Sequence, residues 1–359
     1  MAALTAVAVP AARRAATLPA VRRAVRVGGG IAVVVATALV VGVGPFLHGI
    51  AAISPPAIAA AFALIAVATA AAAWRWRVVA GGFGLPLPWH EALAAYYRSQ
   101  FLNAVLPGGV VGDVHRAYAH GHPHERIGSA ARAVAAERVF GQMVQVTLTL
   151  AVLLPLAAAH SAWGSPLAPV AWGAGVLTGA AVLAVGVAAA VPRSRRVLQR
   201  EFGMLRPLLV RPSALVAIVL ASAVVVGAHV SLFVVAGLAT GVAADPGGLV
   251  AAALVVLAAS ALPINVGGWG PREAAAGAAF AVAGLGGATG VATSTAFGVL
   301  ALLAVAPGAL VLLVARSRVT CAAPTWLPWV TWRICTRHAG VSRTYTPSRL
   351  DEGGARADD

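Results

Sequence analysis

Long apolar runs separated by arginine-bearing breaks set the pattern of this chain. Runs of about 20 nearly uncharged residues predict membrane-spanning helices. The first covers about Gly28 to Leu47, and the arginine-free loop Ser54-Pro55-Pro56 follows it. The second, Ala57 to Ala73, ends at Trp74-Arg75-Trp76-Arg77, where tryptophans interleaved with arginines read as an inner membrane interface. Further spans are predicted over Ala133 to Leu156, Val170 to Val191, Ser213 to Leu238, Gly248 to Leu262 and Thr289 to Val314. Residues 81–101 break the pattern with Gly81-Gly82, Pro86 and Pro88. Within them, Trp89 to Phe101 reads as a short amphipathic helix that lies in the interface or leads into the bundle. His115 to Ser129 reads as a polar cytoplasmic loop.

The arginines set an orientation. Residues 1–27 hold Arg13, Arg14, Arg22, Arg23 and Arg26, and the loop after Val191 holds Arg193, Arg195, Arg196, Arg200, Arg206 and Arg211. The loops 157–169 and around Asp245-Pro246 carry none. The positive-inside rule then places both termini in the cytoplasm. For Arg316 and Arg318 to end inside, Glu273 to Leu285 must carry the chain outward. Its length of roughly 20 Å falls short of a ~30 Å hydrocarbon core, so a half helix completed by irregular backbone is expected. The predicted fold class is therefore an all-α, polytopic transmembrane helix bundle of about eight passes. Its domains are a basic tail over 1–27, a membrane domain over 28–316 and a cytoplasmic tail over 317–359. That tail is interfacial around Trp326, Trp329 and Trp332 and disordered after Arg337.

Composition supports this pattern. The chain is 60% hydrophobic and 10% charged, against about 25% charged for a soluble domain. All 26 basic residues are arginine and the formal charge is +15. Their position at the ends of apolar runs argues for a membrane surface and against nucleic acid. The alanine- and arginine-rich usage suggests a bacterial source and hence the bacterial cell membrane. Cys321 and Cys335 give no disulfide framework, and the first apolar run lacks a signal-cleavage pattern.

Two apolar stretches are interrupted, and they carry the candidate chemistry. One runs from Asn103 through Leu106-Pro107-Gly108-Gly109 to Gly112-Asp113, and the other from Leu262-Pro263 through Asn265, Gly268 and Gly270 to Arg272-Glu273. Each has Leu-Pro, paired glycines, a charged residue and a nearby Asn, so they form a pseudo-repeat of interrupted or re-entrant segments. Broken backbone at membrane depth belongs where protein buries it or a wet cavity meets it. Pro107, Gly108, Gly112, Pro263, Gly268 and Gly270 are the expected backbone breaks. Arg272 opens a helix after Pro271, where free amides and a guanidinium suit a phosphate. Glu273 there either balances the helix dipole or serves the site. Arg138 either snorkels to headgroups or grips a lipid phosphate through its planar fork. Glu137 pairs with Arg132 or a distant arginine. Asp113 accepts from a substrate, pairs with an arginine or caps a helix. Asn103 and Asn265 are candidate substrate-binding residues, with Asn265 and Trp269 as lining of the site.

The spacing His120-x-His122-x-His124 has a metal-like form, but Gly121 and Pro123 suggest a plain turn and no Cys is near. No metal and no cofactor are expected. Neither G-x-S-x-G, HExxH nor a P-loop occurs.

Gln100-Phe101-Leu102-Asn103 with Leu106-Pro107-Gly108 and Gly112-Asp113, Glu137-Arg138 with Gly141, and Leu262-Pro263 with Gly268, Gly270, Arg272 and Glu273 together resemble the transmembrane domain of the lysylphosphatidylglycerol synthase family. The resemblance covers roughly residues 30 to 316. It departs at Val111-Gly112, where the family commonly has two glycines. It implies a flippase-like fold and lipid binding or passage. The stretch after residue 316 is shorter than a soluble transferase domain, so aminoacylation is not implied. The expected function is binding and translocation of an anionic lipid or polyprenyl-phosphate-linked substrate, by a transporter rather than an enzyme. The alternatives are an accessory subunit or enzyme of lipid-linked glycosyl transfer, with Asp113 and Glu137 as acid or base, and a non-transporting membrane scaffold.

Overall fold

The computed structural model describes residues 35–316 except 36, 41, 107–108, 160–202, 204, 207, 244–245 and 261–268. The elements in order are α1 (Gly44–Ala51), α2 (Pro55–Gly82), α3 (Trp89–Val105), α4 (Val111–Gly121), a single 3-10 turn (His122–His124) and α5 (Ile127–Ala159). Then come α6 (Pro212–Ala239), α7 (Pro246–Ser260), α8 (Pro271–Val282), α9 (Gly287–Val305) and α10 (Pro307–Arg316). Proline opens α2, α6 and α8, where its missing N–H costs nothing and its fixed φ suits a first turn. Among the described residues four apolar stretches are long enough to cross a membrane: Pro55–Gly82, Ile127–Pro155, Pro212–Ala239 and Gly287–Leu313. The protein is a polytopic helical membrane bundle.

The most extensive helix pairing is α2 with α6, and α9 packs against α1, α2, α6 and α8. Small residues bring these backbones together. A Cβ on Gly49 would stand 2.3 Å from the Ala292 carbonyl oxygen, and one on Gly290 would stand 2.3 Å from that of Ala276. Such close approach is how helices associate where lipid removes the hydrophobic drive. One apolar core joins Ile65, Leu232, Phe233, Phe280, Phe297 and Leu300, with Phe233 5.7 Å from Phe297 and 6.3 Å from Phe280, centroid to centroid. A second joins Trp76, Val79, Leu85, Ala92, Leu208 and Ile218. The chain up to Val311 groups as one compact unit; of the second, from Leu312, the described part is the end of α10.

Several elements differ from the sequence reading. The second span continues to Gly82, and Arg75 and Trp76 lie buried within α2. The reason is packing against α6 together with an acidic partner for Arg75, described below. The expected loop from His115 is the body of α4, with Arg116 buried, and α5 begins at Ile127. The helix from Trp89 extends to Val105 and buries Ala92, Ala95 and Ser99 against the bundle. The short helix is α8, whose 12 residues span roughly 18 Å. The last run divides at Ala306 before Pro307. The expected fourth span, the beginning of the first, the Leu106–Asp113 turn at residues 107–108 and the tail from residue 317 lie outside the described residues.

Candidate functional site

Charged side chains from α2, α4 and α5 meet in one buried cluster. Glu137, fully buried on α5, is its centre. Its Oε1 accepts from Arg75 Nε at 2.9 Å, from Arg75 Nη2 and from the Tyr96 hydroxyl at 3.1 Å. Its Oε2 accepts from Arg116 Nη2 at 2.9 Å. Arg75 also donates through Nη1 to Ser222 Oγ on α6 at 2.9 Å. A carboxylate can be buried at this depth only with such partners. Gly141 lies one turn along α5 from Glu137, and a Cβ there would press on Arg75 Nη1 at 2.9 Å. The missing side chain leaves room for the guanidinium.

Arg116 has 1% of its surface exposed. Its Cζ lies 4.4 Å from the ring centroids of both Trp76 and Tyr96, which stabilise a cation through their negative faces. Among the described residues its Nε and Nη1 have no hydrogen-bond partner.

Asp113, in the first turn of α4, extends the cluster. Ser99 Oγ donates to its Oδ1 at 3.1 Å, Asn103 Nδ2 to its Oδ2 at 3.3 Å, and Arg116 Nη2 to its Oδ1 at 3.2 Å. Asn103 Oδ1 in turn accepts from the Gly112 amide at 2.7 Å. Gly112, expected at a break, sits inside α4. Its function is proximity: a Cβ would stand 2.0 Å from the Ser99 carbonyl oxygen. Arg138 pairs with Asp113 Oδ2 while half of its side chain remains exposed. Among the described residues three guanidiniums thus meet two carboxylates. Arg75 and Arg116 balance Glu137 and Asp113, and Arg138 is the surplus positive charge.

The second charged group lies at the start of α8. Gly270 takes φ 110° and ψ −89°, a conformation that only glycine adopts without strain. Glu273, buried, turns back to accept from the Gly270 amide at 2.7 Å, as the third residue of a helix does in a capping box. It also accepts from Arg272 Nε at 2.8 Å and Nη2 at 2.6 Å, and from Ser294 Oγ at 3.3 Å. Arg272 is itself buried and lies 4.8 Å from the Trp269 ring centroid and 5.5 Å from that of Phe297. Gly298 makes way for it, since a Cβ there would meet Nη2 at 2.1 Å. Arg272 therefore carries its own counter-charge.

The structure brings Asp113, Glu137, Arg138 and Asn103 together, and Arg272 with Glu273. The two groups have a common neighbour: α3, which bears Asn103, packs against α9, which bears Ser294 and Gly298. Pro107, Gly108, Pro263, Asn265 and Gly268 lie outside the described residues. Sequence reasoning missed Arg75, Arg116, Tyr96, Ser99 and Ser222. The signal for Arg116 was its spacing of three from Asp113, which puts both on one helix face. For Arg75 it was a charge continuing an apolar helix rather than ending it.

His120 and His124 meet edge to face, their ring centroids 5.8 Å apart. His120 Nε2 donates to the Pro86 carbonyl oxygen at 3.1 Å and its ring stands edge-on to Trp76, while His122 faces Tyr118. Among the described residues no group of three His, Cys, Asp or Glu side chains is placed to hold a metal.

No curated protein and no solved structure matches the chain. A family model described as "Lysylphosphatidylglycerol synthase TM region" matches residues 25–342. With that match over most of its length and a helical membrane bundle beneath it, the chain belongs to the lysylphosphatidylglycerol synthase transmembrane-region family.

Proposed function

We propose that this protein binds an anionic lipid or polyprenyl-phosphate-linked substrate and carries its headgroup across the bacterial cell membrane, with both chain termini in the cytoplasm. The supporting observation is the surplus charge of the larger cluster, which resides on half-exposed Arg138. The buried groups behind it neutralise one another. Arg138 is thus the member that can exchange Asp113 for a phosphate, and a guanidinium fork suits that ligand. Asp113 keeps Ser99, Asn103 and Arg116 as partners when Arg138 leaves, so the exchange strands no bare carboxylate. Asp113 and Glu137 then serve as counter-charges of the empty site, with no proton transfer required of them.

Proteoliposomes carrying fluorescently labelled phosphatidylglycerol test this reading. The expected result is lipid scrambling or flipping above protein-free vesicles, lowered at least tenfold by Arg138→Ala in a protein that remains monodisperse. Equal rates for the two proteins would overturn it. The closed pairing of Arg272 with Glu273 favours a second reading for that pair alone, as a structural clasp of α8. Arg272→Ala then lowers the melting temperature. If it slows lipid passage at unchanged stability, Arg272 is a ligand contact instead.

A further inference from the structure

A groove of about 530 Å³ runs along the outer face of the α2–α6 pair, a volume within the roughly 300–1,000 Å³ of ligand clefts. It is lined by Ala71 and Trp74 of α2 and by Ser213, Val216, Leu220 and Val224 of α6, among others. Val216, Leu220 and Val224 are exposed, as side chains facing lipid are. The groove is asymmetric. At the Trp74 end Arg77 stacks over Trp74 at 5.5 Å and over Trp89 at 5.8 Å, and its Nε donates to the Leu87 carbonyl oxygen at 2.9 Å. Arg211 stands at the start of α6, two residues before Ser213. Among the described residues neither arginine has a carboxylate partner. Toward Leu220 and Val224 the lining is purely apolar.

We infer that this groove is a fixed lipid site: one acyl chain lies along α6, and an anionic headgroup sits against Arg77 and Arg211. The occupant follows from complementarity. Two guanidiniums without a carboxylate partner among the described residues suit a phosphate, and the apolar channel beside them suits hydrocarbon. The two rings beside Arg77 restrict its side chain, which lowers the entropy lost on gripping a headgroup. This site is separate from the Arg138 cluster. Ala221 lines the groove, whereas its neighbour Ser222 faces inward to hold Arg75.

Native mass spectrometry of the protein taken from vesicles of phosphatidylcholine and phosphatidylglycerol at 4:1 provides the test. The expected result is one phosphatidylglycerol per chain retained in the groove, in addition to any held at Arg138. Arg77→Gln with Arg211→Gln lowers its retention at least tenfold, and so does Leu220→Trp, an exposed position at which a larger ring fills the channel. Arg138→Ala retains the lipid, so loss of this site and loss of transport are read separately. Equal retention of both lipids, or unchanged retention in the groove variants, would overturn the inference. So would efficient crosslinking of Ala180→Cys to Leu220→Cys in a chain with Cys321 and Cys335 replaced by serine, because the chain's own residues 170–191 would then cover the groove.

Discussion

Glu137 compensates two buried arginines at once, so its loss has a larger effect than that of any partner alone. Glu137→Gln leaves Arg75 without a counter-charge and Arg116 with Asp113 alone, and breaking a buried pair from one side costs about 3–5 kcal/mol. A drop of several degrees in the melting temperature of the detergent-solubilised protein is expected, and an unchanged melt would show that water reaches the cluster. Gly112→Ala acts by a different route. Its Cβ would collide with backbone at Ser99 rather than with a flexible side-chain end, and overpacking of this kind costs about 1–3 kcal/mol. His120 makes a pH prediction. Burial holds its pKa below the ordinary value; its hydrogen bond to Pro86 and Glu91 oppose this, while His124 and Arg116 reinforce it. The fold therefore prefers the neutral ring. The stability this contributes is present above the ordinary histidine pKa of about 6.5 and is lost as pH falls below it. The melting temperature should drop between pH 7.5 and 5.5, and His120→Gln, which keeps a donor for Pro86 but does not titrate, should reduce the slope.

At the scale of elements, the short helix α8 is held by backbone proximity as much as by charge. Gly290 lets α9 touch the Ala276 carbonyl, and Gly277 lies 3.3 Å, measured from an added Cβ, from Val291 Cγ2. Gly290→Val should force the two helices apart and shift Trp269 toward solvent, read as faster exchange of amides in residues 271–282. Unchanged exchange would mean the pair relaxes without opening. These elements were legible in the sequence to different degrees. The apolar runs of α2 and α6 and the brevity of α8 followed from hydropathy and the length of the bilayer. The end of α2 did not, because Trp-Arg-Trp-Arg reads as the end of an apolar run, whereas the helix continues to Gly82 with Arg75 paired to Glu137. α4 was read as loop for a related reason: His115, Arg116 and His120 look polar along the chain, yet the helix turns Arg116 and His120 inward and leaves Val111 and Val114 outside. Pairings such as Arg75 with Glu137, 62 positions apart, arise from tertiary packing and leave no local period.

At the scale of the whole molecule, the distribution of arginines predicts that reporters fused at either end face the cytoplasm. Alkaline phosphatase fusions at the two termini should be inactive and green fluorescent protein fusions bright, whereas a fusion within residues 240–246 should show the reverse. Activity at one terminus alone would change the number of crossings to odd. The membrane class and the family were legible from composition and the motifs around Asp113, Glu137 and Arg272. What holds the charge in place was not, since it depends on serines, a tyrosine and missing Cβ atoms that carry no charge themselves. The contact of Arg116 with the rings of Trp76 and Tyr96 has one practical consequence. Of the nine tryptophans, Trp76 is in ring contact with the ion cluster, so a chain that keeps it and has phenylalanine at the other eight positions carries a built-in optical gauge. Its emission colour and lifetime would then record any rearrangement of those guanidiniums in real time, without an added dye.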